Sequence, residues 1–235
     1  MCGPGDNGRD GSADGARVQW SLVIPVKALA RAKSRLTDTA GDEVRPGLAL
    51  AFAQDTVAAA LACPRVRDVA VVTDDPLAAR ELSALGAVLV PDEPAGGLNA
   101  ALAHGAGAVR ARRPGAALAA LNADLPALRS AELGRVLDAA GEFPRSFLAD
   151  AAGIGTTLLA AGTGRELRPA FGVDSRRRHL ASGAVELAPG AVDSVRQDVD
   201  TGADLRAALA LGVGVRTVAA VGALPLGALA SGCGY

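Results

Sequence analysis

The chain has 235 residues, 50% hydrophobic and 21% charged, and its 24 Lys and Arg against 25 Asp and Glu leave a formal net charge of −1. A chain of this size buries roughly 70% of its unfolded surface in a core, which excludes a disordered protein, and its balanced charge offers no field for holding nucleic acid. Few aromatic residues and three scattered cysteines (Cys2, Cys63, Cys233) exclude base-stacking platforms, a zinc site and a disulfide framework, and fit a reducing cytoplasm.

Residues 1–16 combine Gly, Asp and Ser with almost nothing to bury, and are expected to form a disordered leader. A single domain is expected over 17–221, with a flexible Gly-rich tail over 222–235. The apolar stretches are all interrupted before the ~18 residues that a membrane span needs, so no membrane or export segment is expected.

Apolar runs at Trp20–Val26, Val69–Thr73, Ala87–Val90 and Ala116–Leu121 read as strands. They alternate with helical patterns at Pro46–Ala62, Pro76–Leu85, Leu98–Arg112 and Ser130–Ala140. Four successive βα units predict a mainly parallel, doubly wound α/β sheet with helices on both faces. Shorter strands at Ser146–Asp150, Thr156–Ala160 and Ala184–Leu187, separated by Gly-rich loops, suggest an antiparallel insertion that forms part of a pocket. A helix over Thr201–Leu211 and a last strand over Val213–Val218 complete the reading. In such sheets ligands sit beyond the carboxyl ends of the strands.

The first of these ends carries Pro25–Leu36 (PVKALARAKSRL), with Lys27, Arg31, Lys33 and Arg35. Lys27 and Lys33 are the only lysines of the chain, and the other 22 basic residues are arginine. Compact ammonium groups kept at a strand's carboxyl end suit a triphosphate, although a solvated basic loop has the same composition. The Walker pattern is absent. After the second strand, Asp75 and Pro76 read as the N-cap and first residue of a helix, and Thr73 or Asp74 could touch nucleotide. Gly96-Gly97-Leu98-Asn99 opens the next helix, where close backbone approach and N–H groups favour a nucleotide contact through Asn99. Asn99 could instead cap the helix.

Asn122-Ala123-Asp124-Leu125-Pro126 ends the fourth strand in a carboxylate suited to Mg²⁺ bound to phosphate oxygens. A second acidic turn, Asp198-Val199-Asp200-Thr201, precedes the last helix. Asp200 or Thr201 can cap the helix, with Asp204 in its first turn; Asp198 is assigned to the metal and Asp200 mainly to helix capping, with exchange of those roles open. Asp150–Thr157 and Phe171–His179 supply hydroxyls, loose backbone and an Arg cluster for a small phosphorylated or carboxylated acceptor. Ser175 could otherwise be an N-cap, and His179 reads as a helix-face residue rather than a catalyst.

Seven motifs in order, IPVK with AKSRL (24–36), VTDD (72–75), GLNAAL (97–102), ADLP (123–126), GTTLL (155–159), FG..S...H (171–179) and DVDT (198–201), resemble the CofC/FbiD guanylyltransferases. That family is similar in fold to MobA-like and nucleotide-diphospho-sugar transferases. The resemblance implies transfer of GMP from GTP to a C3 phospho-acid, phosphoenolpyruvate or 2-phospho-L-lactate, releasing pyrophosphate in biosynthesis of the deazaflavin coenzyme F420. It implies Lys27, Lys33 and Arg35 as catalytic cations on the triphosphate, with Thr73 and Asn99 also at the nucleotide. Asp124 and Asp198 would hold Mg²⁺, and Thr157, Gly172 and Ser175 would bind the acceptor. A downstream transferase that consumes the labile product is the implied protein partner. The chain departs from the family pattern at Val173-Asp174, where small residues such as Pro-Gly are expected, and at Asn122. Other acceptors, or a non-catalytic nucleotide-binding regulator on the same fold, remain open at this stage.

Overall fold

The computed structural model describes residues 18–31, 36–93 and 96–224. The expected leader, Lys33, Arg35 and the tail beyond residue 224 lie outside the described residues. Strands β1 (Trp20–Pro25), β2 (Val66–Val72), β3 (Val88–Val90) and β4 (Ala117–Leu121) alternate with helices α1 (Thr37–Leu61), α2 (Pro76–Ala84), α3 (Leu98–Arg112) and α4 (Ser130–Ala140). The chain continues through β5 (Arg145–Ala149), β6 (Thr156–Ala161), α5 (Ser175–Ala181), β7 (Val185–Glu186), α6 (Asp193–Arg196), α7 (Gly202–Leu211) and α8 (Val215–Gly222).

The strands form one sheet in the order β3-β2-β1-β4-β6-β5-β7. β1 runs parallel to β2 and β4, and β2 parallel to β3, while β6 lies antiparallel between β4 and β5. This is the mainly parallel sheet with an antiparallel insertion that the pattern predicts.

Alternation along the strands divides the core between the two faces. Leu22, Ile24, Val69 and Val71 pack with Val57 of α1, Leu82 of α2 and Leu137 of α4. Val23, Ala70, Val72, Leu118 and Ala120 pack with Leu102, Ala106 and Val109 of α3. With small side chains doing most of the filling, α3 approaches the sheet closely. A Cβ at Gly105 would stand 2.6 Å from both Val23 Cγ1 and Val72 Cγ2.

Two expectations need correction. α1 begins at Thr37 rather than Pro46, so Pro46 lies inside the helix and forfeits one backbone hydrogen bond. The segment Val213–Val218 is not a strand: α8 occupies Val215–Gly222. Asp55, buried on α1, accepts from the N–H groups of Arg216 (3.3 Å) and Thr217 (2.8 Å) and so caps the new helix. Val213, Ala220, Val221 and Leu224 then pack on a cluster that includes Phe52 and Leu205. Tertiary contact thus overrides the β preference of the valines. Among the described residues no helix is long and apolar enough to cross a membrane.

The α3 interface gives a paired test. Gly105→Ala is expected to destabilise the fold by about 1–3 kcal/mol through overpacking. Gly107→Ala, on the same helix but with no atom within 4 Å of the added Cβ, should stabilise by about 1 kcal/mol from helix propensity. Urea denaturation of both variants measures the difference in sign.

Candidate active site

The carboxyl ends of β1 and β4 open into one cleft. β1 hands on to Val26, whose N–H bonds the Val72 carbonyl at 2.9 Å, and Lys27 follows, exposed and on the cleft wall. The next turn, Leu29–Arg31, is 3-10 helical and is tied down by Asp75, which accepts from Leu29 N–H at 2.9 Å. Asp75 also caps α2 through Leu77 and Ala78, as the Asp-Pro pair predicts. Burial works to raise its pKa, but the N–H donors of Ala78, Leu29 and Leu77 outweigh that effect and hold the carboxyl below its ordinary range. Thr73 is buried, and its hydroxyl accepts from Asp75 N–H at 3.1 Å. Thr73 therefore builds the turn rather than lining the cleft.

β4 ends in the Asp124 turn, and α1 holds that turn from behind. Thr56 Oγ1, buried in the helix, accepts from Leu125 N–H at 3.1 Å and directs its hydrogen to the carbonyls of Phe52 (2.7 Å) and Ala123 (3.1 Å). The second acidic turn is tied to the first through the backbone, since Val199 N–H donates to the Asp124 carbonyl at 3.0 Å. One hydrogen bond thus sets Asp198 and Asp200 beside Asp124, and all three line the cleft. The capping role expected for Asp200 falls instead to Thr201. Its hydroxyl accepts from Asp204 N–H at 3.3 Å while Asp204 accepts from Thr201 N–H at 2.8 Å, a reciprocal capping box.

The opposite wall comes from the insertion. A register shift near Ala149, opposite Thr156, marks a bulge between β5 and β6. Thr156 lines the cleft, and the adjacent Thr157 is fully buried, with no partner for its hydroxyl among the described residues. Asp150 closes the preceding loop by accepting from Ile154 N–H (2.9 Å) and Gly155 N–H (2.7 Å).

Asn99 clasps the main chain of Phe171 in both directions, donating to its carbonyl at 3.0 Å and accepting from its N–H at 2.7 Å. Its amide therefore fixes the acceptor-side loop to α3, while Gly97 takes the N-cap position. Arg178 donates to the same Phe171 carbonyl at 3.0 Å. Gly172, at φ 112°, and Asp174, at φ 53°, make the loop's left-handed steps. Asp174 thus occupies a conformation that glycine adopts most easily, at the position where the chain departs from the family pattern. The other departure at this point, Val173, is 85% exposed at the rim of the cleft. Ser175 is buried and lines the cleft, with Asp174 rather than Ser175 at the N-cap.

His179 lies on α5, as its spacing predicts, but on the buried face of that helix, with Phe147 and Phe171 ring centroids at 5.6 and 5.1 Å. Desolvation, with Arg145 and Arg178 nearby, lowers its pKa to about 4. Thr56 is the residue that motif reasoning missed, and His179, though it closes the FG..S...H motif, was given no role by it. Each acts through contacts from distant segments.

The cleft measures 730 Å³ and carries Asp124, Asp150, Asp174, Asp198 and Asp200 with Lys27 on its lining. That volume suits a small ligand, but a carboxylate-rich wall repels phosphates unless a cation intervenes. Among the described residues no three His, Cys, Asp or Glu side chains converge as a metal cage. One or two carboxylates completed by substrate phosphates is the arrangement that Mg²⁺ prefers, so the donor set fits that ion.

Parallel βα units with an antiparallel insertion, and two acidic turns at the carboxyl edge of the sheet, are the architecture of a nucleotidyltransferase-like fold. Solved structures agree on the fold: a nucleotidyl transferase from Methanothermobacter superposes with a TM-score of 0.58 at 22% identity, covering 82% of this chain and 97% of that one. A cytidylyltransferase from Leptospira borgpetersenii gives a TM-score of 0.51 at 14% identity, covering 88% and 92%. Residues 20–219 match the family described as guanylyl transferase CofC like, and the chain belongs to that family. Among curated relatives, a phosphoenolpyruvate guanylyltransferase of Streptomyces avermitilis is 77% identical over 207 residues, 88% of this chain and 96% of the relative. Its namesake in Streptomyces coelicolor is 77% identical over 202 residues, 86% and 95% of the two chains.

The depressed pKa of His179 has a consequence for stability. With about 4 in the folded state and an ordinary 6.5 unfolded, the unfolded chain takes up the proton first. The contribution is complete above pH 6.5 and is lost as pH falls toward 4, roughly 3 kcal/mol in all. Denaturation curves between pH 7 and 4 should show this slope, and His179→Asn should flatten it.

Proposed function

We propose that this protein transfers GMP from GTP to phosphoenolpyruvate, releasing pyrophosphate, in the biosynthesis of coenzyme F420. Family membership and the names of the Streptomyces relatives support the reading. The observation that carries it is a single cleft lined both by Lys27, Asp124 and Asp198 from the ends of the parallel half and by Thr156, Gly172 and Ser175 from the insertion.

A phosphate oxygen of the acceptor is already an anionic nucleophile, so no general base is required. It attacks the α-phosphorus of GTP in line. The new P–O bond forms as the bond from the α-phosphorus to the bridging oxygen breaks, and pyrophosphate leaves with the electron pair. The protein's task is to align the two anions and offset their charge. Lys27, with Lys33 and Arg35 from the same loop, is assigned to the triphosphate. Thr73 is assigned to the nucleotide side through the turn it holds, and Asn99, expected at the nucleotide, ties the acceptor-side loop to α3. Asp124 and Asp198, with Asp200 adjacent, would hold Mg²⁺, which when bound offsets negative charge between the phosphates.

Thr157, Gly172 and Ser175 are assigned to the acceptor. For Thr157 this rests on the family resemblance, because it is fully buried and the cleft lining carries its neighbour Thr156 instead. Gly172 favours the assignment, because a Cβ there would stand 3.1 Å from Arg178 Nη2 and crowd the loop. The labile product would pass to a downstream transferase.

Pyrophosphate release in the presence of Mg²⁺, with each of four nucleoside triphosphates against phosphoenolpyruvate, 2-phospholactate and 3-phosphoglycerate, tests the reading. The expected outcome is a clear maximum for GTP with phosphoenolpyruvate. A maximum with another acid would reassign the acceptor, and no turnover with any pair would make the protein a nucleotide-binding regulator. Lys27→Ala should raise the GTP KM by about tenfold or more, as loss of a charged contact worth roughly 1.5–3 kcal/mol requires, while leaving the circular dichroism unchanged.

A further inference from the structure

The acceptor wall contains a hydroxyl whose hydrogen-bonding sense is dictated by a residue that does not line the cleft. Both ring nitrogens of His179 are engaged. Nε2 lies 3.0 Å from the main-chain nitrogen of Ala170, and Nδ1 lies 3.0 Å from Thr156 Oγ1. A backbone N–H can only donate, so Nε2 must present its lone pair, and the proton of the neutral ring resides on Nδ1. Nδ1–H therefore donates to Thr156 Oγ1. The threonine's own hydrogen must then point away from the imidazole, and Thr156 has no second partner among the described residues. Since Thr156 lines the cleft, its hydroxyl is left able to donate there.

That sense matters for an acceptor whose polar atoms are carboxylate and phosphate oxygens. A hydroxyl offering a lone pair would repel them, whereas one offering its hydrogen makes a charge-assisted bond. We infer that His179 is a positioning residue that sets the Thr156 hydroxyl as a hydrogen-bond donor to an anionic oxygen of the phospho-acid. This contact is additional to those assigned to Thr157 and Ser175, and the inference rests on the acceptor reading above. His179 also joins the two halves of the wall, because Ala170 belongs to the loop that leads to Gly172 and Thr156 belongs to β6.

The experiment is pyrophosphate-release kinetics at saturating GTP with phosphoenolpyruvate varied, and the reverse. Thr156→Val should raise the phosphoenolpyruvate KM about tenfold and leave the GTP KM unchanged, and Thr156→Ser should restore it. The two amide substitutions at 179 separate positioning from plain packing. His179→Gln places its amide oxygen near the Nε2 position, accepting from Ala170 and offering nothing to Thr156, so it should match Thr156→Val. His179→Asn places an amide N–H near Nδ1 and should stay within about threefold of wild type, on the order of the smaller hydrogen-bond effects. Combining Thr156→Val with His179→Gln should add no further loss, as expected for two residues acting through one contact.

A wild-type KM in Thr156→Val, or equal damage from Gln and Asn at 179, would overturn the inference. Ser175→Ala in the same assay keeps the two readings distinct. A raised acceptor KM there with none in Thr156→Val overturns this inference alone, and no rise in either overturns the acceptor site as well.

Discussion

The site depends on one backbone hydrogen bond, from Val199 N–H to the Asp124 carbonyl at 3.0 Å. Asp124 stands at the end of β4, and Asp198 and Asp200 lie more than seventy residues further on, ahead of α7. Like charges brought this close raise the folding free energy unless something opposes them. The backbone bond holds the segments together regardless of side-chain charge, and Thr56 and the capping box of Thr201 and Asp204 fix each turn from its own side. Neutral groups thus hold the two acidic turns at one edge of the cleft.

The same logic organises the acceptor wall. Phe171 seats loop 169–174 in the core, and the backbone around it is set by polar ties to three elements: Asn99 of α3, Arg178 and His179 of α5, and through His179 the Thr156 hydroxyl of β6. Rigid helices and strands thus carry the contacts while the loop presents backbone and hydroxyls, an economical way to hold a small anion. Gly172 and Asp174 supply the left-handed turns that bring this backbone to the cleft. The loop accommodates Val173 at the exposed rim of the cleft, and Asp174 takes a left-handed conformation that Asp can adopt.

Elements with long periodic patterns were legible from the sequence. α3 and α4 begin and end where periodicity and flanking residues place them, and Asp75-Pro76 announced the start of α2. α8 was not, because its valines imitate a strand and its cap, Asp55, lies on α1, some 160 residues away. The acidic turns were visible as residues, and so was the capping box: Thr201 with Asp204 in the first turn was open beside Asp200 as the cap of α7, and the structure takes Thr201. Thr56, Asn99 and His179 form another class. Each is an ordinary polar residue whose role is created by backbone groups of remote segments, and no local pattern records such contacts.

The central claim is that the two acidic turns act together as the cation-binding side of the cleft. The most direct measurement is the transfer rate of Asp124→Asn, Asp198→Asn and Asp200→Asn across a Mg²⁺ titration, with circular dichroism confirming the fold. The account predicts that Asp124→Asn loses transfer at every Mg²⁺ concentration, that Asp198→Asn behaves alike, and that Asp200→Asn is the mildest of the three. An Asp124→Asn enzyme with normal activity at low Mg²⁺ would contradict it.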